Sequence, residues 1–276
     1  MYPAVFSRTY PPGRIEEVLA AIAADGFRGA QMNLTSFGMD SLPATLDEGA
    51  LARGRSEAAR LGLSFAALSG TYNMAHPDPA ARAAARPRLA RVLAAAAAIG
   101  APVVTLCTGS RDPADMWAAH PGNASPEAWA DLRAELDRAL EVAAGHGLTL
   151  AVEPEPGNVV CDAAAARRLL DEVRAPNLGI ILDAANLIGT GGLGRQGEIL
   201  ARAIGLLGAD IVLAHAKDIA ADGRVVAPGD GAIDLPAFAG ALSRAGFSGA
   251  LVGHGFAASD TARAGRFLAA LCAEAA

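Results

Sequence analysis

Four residues able to bind a metal or move a proton stand in matching places along the chain. The apolar run Leu148-Thr-Leu-Ala-Val-Glu153 stops at a carboxylate. Pro154 follows, and without an N–H for a sheet ladder it ends the strand. Leu178-Gly-Ile-Ile-Leu-Asp183 stops at a second carboxylate, Ile211-Val-Leu-Ala-His215 at an imidazole and Ala250-Leu-Val-Gly-His254 at another. The steps between the four are 30, 32 and 39 residues, each about one strand–helix unit. A single strand-end acid is commonly a solvated terminus or a helix cap. Four in register, one per unit, point instead to a shared site. Two carboxylates and two imidazoles suit a divalent first-row ion such as manganese, cobalt, zinc or iron. Glu153, Asp183, His215 and His254 are therefore the expected metal ligands.

Such convergence needs parallel strands that share one mouth. Strands are expected at 4–6, 29–32, 63–68, 103–107, 148–153, 178–183, 211–215 and 250–254. Helices fill the intervals: 14–24, 47–61 capped by Asp47 and stopped by Gly62, 79–99 ending at Gly100, and one from Ser125-Pro126 to Ala144. The rest are 162–173, near 195–207, one starting at Asp234 and one starting near Ser259. The segment 220–231 reads as a turn-rich loop. Eight alternating units in 276 residues favour a single (β/α)8 barrel domain, with ligands at the C-terminal ends of the strands. An open doubly wound sheet is the alternative, but no Gly-x-Gly-x-x-Gly follows the first strand.

Composition narrows the partners. The net charge of −6 argues against nucleic acid. Three widely spaced cysteines form neither a disulfide framework nor a zinc-finger spacing, which fits a reducing cytoplasm. The start has no basic segment followed by an apolar one, and the alanine-rich stretch 92–107 is broken by Gly100 and Pro102, so no membrane association is expected.

Several segments, in this order, carry a likeness to known proteins. They are Ser69-Gly-Thr-Tyr-Asn-Met-Ala-His-Pro-Asp78, Val152-Glu-Pro-Glu155, Ile181-Leu-Asp183, His215-Ala-Lys-Asp218, Gly229-Asp-Gly231 with Asp234, and Gly246-Phe-Ser-Gly249. Over nearly its whole length the chain resembles the sugar phosphate isomerase/epimerase family with the xylose isomerase-like barrel, which includes D-tagatose 3-epimerase, inosose dehydratase and endonuclease IV. In that family Glu, Asp, His and a second Glu at the ends of strands five to eight hold a metal. Glu153, Asp183 and His215 match the first three, whereas the fourth position here is His254. The resemblance implies that Glu153 is both ligand and base, passing a proton through an enediolate. The epimerases use two glutamates on opposite faces of the substrate. A histidine in place of the second favours single-base isomerisation, or a lyase step, over two-base epimerisation.

The expected activity is a divalent-metal-dependent isomerase or epimerase acting on a small sugar, sugar phosphate or polyol, an anionic substrate requiring a local basic patch, with a homo-oligomer compatible. An inosose dehydratase-like lyase and a non-catalytic sugar-binding barrel are the alternatives. A nuclease is disfavoured by five histidines on an acidic chain. Lys217, two residues beyond His215, points to the same side of a strand and either stabilises an enediolate or binds phosphate, or else pairs with Asp218. Asn73, His76 and Arg111 sit on loops at the ligand mouth and are candidate substrate contacts, with a solvated His76 and a surface ion pair for Arg111 as the alternatives. Asn186 lies one helical turn after Asp183 and either contacts substrate or caps. Trp117 and Trp129 read as helix-packing residues, or alternatively a sugar platform. Glu155 reads as a solvated loop acid and Cys107 as a buried thiol.

Overall fold

The computed structural model describes residues 1–275. Its strands are β1 (Tyr2–Phe6), β2 (Gly29–Met32), β3 (Ser64–Ser69), β4 (Val103–Cys107), β5 (Thr149–Glu153), β6 (Leu178–Asp183), β7 (Ile211–His215), β8 (Asp218–Ile219), β9 (Val225–Val226) and β10 (Ala250–Gly253). Eight of them close into a parallel barrel, in which β10 pairs with both β7 and β1. The helices are α1 (Ile15–Ala24), α2 (Glu48–Leu61), α3 (Pro79–Ile99), α4 (Pro126–Gly145), α5 (Ala163–Val173), α6 (Ala184–Ile188), α7 (Gln196–Leu207), α8 (Leu235–Arg244) and α9 (Thr261–Glu274).

Local chemistry sets the helix starts. Asp47, Ser125, Asp162 and Asp234 each accept a hydrogen bond from the backbone N–H three residues on. Caps of this kind contribute about 1 kcal/mol each. Buried residues recur at helical spacing, as in Ile15, Val18, Leu19 and Ile22 of α1, and form the layer between helices and barrel.

The two-residue period of a strand then decides what enters the barrel. A separate interior cluster contains Val103, Ala151, Ile181, Leu213 and Val252. Two residues further along the same strands come Thr105, Glu153, Asp183, His215 and His254. The site residues are thus the next inward position above a packed apolar plug. Register keeps them level: Asp183 is opposite His215, and Cys107 is opposite Glu153.

Two connections differ from the expected pattern. The short α6 begins directly after Asp183, because the Asp183 carboxylate caps it at the Asn186 N–H, 3.1 Å away. The turn-rich loop after β7 contains the antiparallel ribbon β8–β9. It is organised by the fully buried Asp218, whose carboxylate accepts from the N–H groups of Ile219, Gly229, Gly231 and Ile233. A side chain at Gly231 would lie 2.1 Å from Asp218 Oδ1, so that close approach requires glycine.

Candidate metal centre and active site

Glu153, Asp183, His215 and His254 each offer one ligand atom, and these atoms all lie within 4.8 Å of one another. His215 Nδ1 is 3.0 Å from Glu153 Oε1 and 3.8 Å from Asp183 Oδ2. His254 Nε2 is 3.0 Å from Asp183 Oδ2. The first three residues are buried, while His254 keeps 18% of its side chain exposed and faces the barrel mouth. Two carboxylates and two imidazole nitrogens, converging on one point, match the donor set of a divalent transition metal. Asp183 divides its oxygens between tasks: Oδ1 caps α6 and Oδ2 faces the cluster.

Burial alone would drive the Asp183 carboxyl upward, but the hydrogen bond and charge of His254, with Lys217 and His215, hold it below the ordinary range. Burial likewise lowers the His215 imidazole, yet the charge and hydrogen bond of Glu153, with Asp183, leave it raised. Both directions describe a site that favours opposite charges in contact. A cation placed between the carboxylates would use the same attraction.

Asn186 joins this cluster to a lysine. Its Nδ2 donates to Glu153 Oε1 at 3.0 Å, and its Oδ1 accepts from Lys217 Nζ at 2.8 Å. Of the two readings of Lys217, pairing with Asp218 is not what the structure shows, because Asp218 is committed to backbone N–H groups.

A cavity of about 230 Å³ opens over the cluster. Its walls include Glu153, Glu155, His215, His254, Arg8 and Trp117. Glu155 is therefore not a solvated loop acid. Val160 O accepts from the Glu155 N–H at 3.0 Å, turning the chain back over the mouth. Burial, then the charge of Glu153, pushes the Glu155 carboxyl up to about 7.

The sequence model of the xylose isomerase-like TIM barrel matches residues 19–270, nearly the whole barrel. The chain belongs to the xylose isomerase-like TIM barrel family.

Several solved barrels share the fold of this chain. The 3-keto-D-glucoside 4-epimerase YcjR from E. coli superposes with a TM-score of 0.78 at 19% identity, covering 97% of this chain and 98% of that one. IolI, solved with a bound zinc atom, gives 0.78 at 18% identity over 100% and 99%. D-psicose 3-epimerase from Clostridium cellulolyticum H10, solved with D-tagatose, gives 0.75 at 14% over 100% and 98%. A search of curated proteins gives no match.

In this xylose isomerase-like barrel, the residues lining the cavity include none of the four expected substrate contacts and not Lys217: Asn186 is engaged by Glu153 and Lys217, and the other three lie on the loops. Asn73 exchanges hydrogen bonds with the backbone of Ser110, at 2.9 and 3.0 Å. His76 Nδ1 accepts from the Asp78 N–H at 3.0 Å, and its Nε2 lies 3.3 Å from Pro113 O. Arg111 pairs with Asp131 at 2.7 Å and donates to Ala75 O at 3.3 Å. All three fasten the loop after β3 to the loop after β4. Their polar groups are engaged there, which is why loop position alone misplaced them.

That fastening presents Trp117, which is 50% exposed and forms part of the cavity wall. Asn158 donates to Met116 O at 2.9 Å, and a side chain at Gly157 would meet Trp117 O at 2.0 Å, so the two loops touch through bare backbone. Trp129 lies elsewhere, under Arg168 and bonded to Glu172. Cys107 is buried beside Glu153, and burial raises its thiol well above the usual range, so it stays protonated and unreactive. Gly253 faces Leu268 and Phe256, and Gly255 takes a left-handed turn with φ +83°.

Proposed function

We propose that this protein is a divalent-metal-dependent isomerase or epimerase of a small carbohydrate, working by proton transfer at a carbon next to a carbonyl. The observation that carries the reading is the convergence of Glu153, Asp183, His215 and His254 at the floor of a cavity in the barrel mouth. The cavity, at about 230 Å³, is small beside the roughly 300–1,000 Å³ of typical ligand pockets, which suits a single sugar ring or open-chain sugar. The sugar epimerases among the solved relatives support the substrate class by analogy only.

When bound, the metal supplies Lewis acidity, polarising a carbonyl and a neighbouring hydroxyl. Glu153 takes the proton. Its Oε1 accepts from Asn186 on the side of His215 Nδ1, and its Oε2, 3.9 Å from the Cys107 thiol, is the oxygen assigned to the reacting C–H. Lys217, held by Asn186, brings positive charge toward the developing oxyanion. Trp117 covers the sugar and limits water at the mouth. His254 takes the place of a second carboxylate and offers an imidazole nitrogen to the metal instead.

The test is proton exchange in D2O, followed by NMR, on a panel of ketoses, aldoses and inososes with manganese, cobalt or zinc. Exchange at the carbon next to the carbonyl, with isomer formation, is the expected result. Loss of water from the substrate would identify a lyase. Metal and sugar binding without exchange would identify a binding barrel.

A further inference from the structure

Gln31 was not among the residues singled out by spacing, because it stands alone in the short apolar strand Gly29-Ala-Gln-Met32. It is 4% exposed and points into the barrel from β2. Its Oε1 lies 2.8 Å from His215 Nε2, and its Nε2 donates to Thr105 Oγ1 of β4 at 3.4 Å. A carboxamide oxygen only accepts, so His215 Nε2 is the donor in this contact. The other ring nitrogen, Nδ1, faces Glu153 and Asp183. The imidazole can therefore ligate only through Nδ1, and only in the tautomer with hydrogen on Nε2. The opposite tautomer would aim a hydrogen at the carboxylates and a lone pair at Gln31 Oε1.

We propose that Gln31 is a positioning residue for the metal: it holds the Nε2–H tautomer of His215 and leaves Nδ1 free to ligate, with Thr105 fixing the carboxamide. This rests on the metal reading given above. Histidine ligands characteristically donate their second N–H to a fixed acceptor, and loss of such an acceptor lowers metal affinity by about 10- to 100-fold. A buried glutamine serves here without adding a further negative charge to a cluster that already holds Glu153 and Asp183, with Glu155 in the cavity wall above.

The test compares wild type, Gln31→Met and Gln31→Glu. Methionine keeps the length and removes the acceptor, whereas glutamate keeps an acceptor. Zinc affinity is read by competition with a chromophoric chelator, thermal melting checks the fold, and 15N NMR of the zinc-loaded proteins reports His215. Gln31→Met is expected to melt as a folded protein and bind zinc about 10- to 100-fold more weakly, with Gln31→Glu close to wild type. A slowly exchanging His215 Nε2–H signal is expected in wild type and Gln31→Glu. If Gln31→Met misfolds, the Gln31→Glu affinity and the wild-type NMR signal still decide. Equal zinc affinity in wild type and a folded Gln31→Met overturns the role of Gln31 alone, as does zinc bound through Nε2. A wild type that binds no zinc and no cobalt overturns the metal reading, and this proposal with it.

Discussion

Asn186 stands between Glu153 and Lys217, donating to the carboxylate at 3.0 Å and accepting from the ammonium at 2.8 Å. One neutral amide thus orients both the proposed base and the proposed oxyanion partner. Hydrogen bonds to charged groups contribute about 1.5–3 kcal/mol. Asn186→Leu should therefore lower kcat/KM by roughly 10- to 100-fold, as steady-state kinetics on an accepted sugar would show. Unchanged kinetics would make the amide a packing residue.

Lys217→Ala should reduce turnover far more than stability. The ammonium has one hydrogen-bond partner among the described residues, Asn186, and anchors no other element. We expect kcat to fall at least 10-fold while the urea midpoint stays within experimental scatter of wild type. A variant with full activity would assign Lys217 to surface pairing.

His254→Ala and His254→Glu separate ligand from base. Alanine removes one of four ligand atoms and should lower metal content after dialysis by 10-fold or more. Glutamate restores a carboxylate at this position, so metal is retained and proton exchange should extend to the opposite face of the substrate. Metal content and activity of His254→Ala equal to wild type would leave this imidazole a bystander.

A stability prediction concerns the buried carboxylate behind the fastened loops. Glu135 is 2% exposed and accepts from Arg86, at 2.5 and 2.9 Å, and from Tyr72 at 3.1 Å. Burial pushes its carboxyl up, but those hydrogen bonds and the charges of Arg86 and Arg82 outweigh burial and hold it below the ordinary range. A depressed folded pKa gives stability that is present above the unfolded value, near 4.3, and is lost as pH falls through the folded one. Glu135→Ala should cost about 3 kcal/mol or more at neutral pH, measured by urea unfolding, and this difference should shrink under acid. A cost independent of pH would show that packing, not charge, is lost.

The barrel and its four converging groups were legible because both follow from local rules. Apolar runs ending in a charge mark strand ends, and the two-residue period carries Glu153, Asp183 and His215 inward along with their apolar neighbours. Gln31 and Glu155 were not legible, and Trp117 only as an alternative to helix packing, because their places depend on crossing the barrel or folding back over it. Gln31 meets His215 from a strand 184 residues away in sequence. Glu155 looked solvated because its polar surroundings on the chain gave no hint of the turn that sets it in the cavity wall. Asn73, His76 and Arg111 failed in the opposite way: the right loops carried them, but neighbouring loops consumed their hydrogen bonds. The uncharged polar residue in an apolar strand was the one signal that could have pointed to Gln31.

One ion is expected among Glu153, Asp183, His215 and His254. Anomalous diffraction from a crystal loaded with cobalt or zinc, recorded on both sides of the metal edge, tests it most directly. The predicted result is a single strong peak within bonding distance of a carboxylate oxygen of Glu153 and of Asp183, of Nδ1 of His215 and of Nε2 of His254. No peak at this point, or a peak that Glu153, Asp183 and His215 do not share, would contradict it.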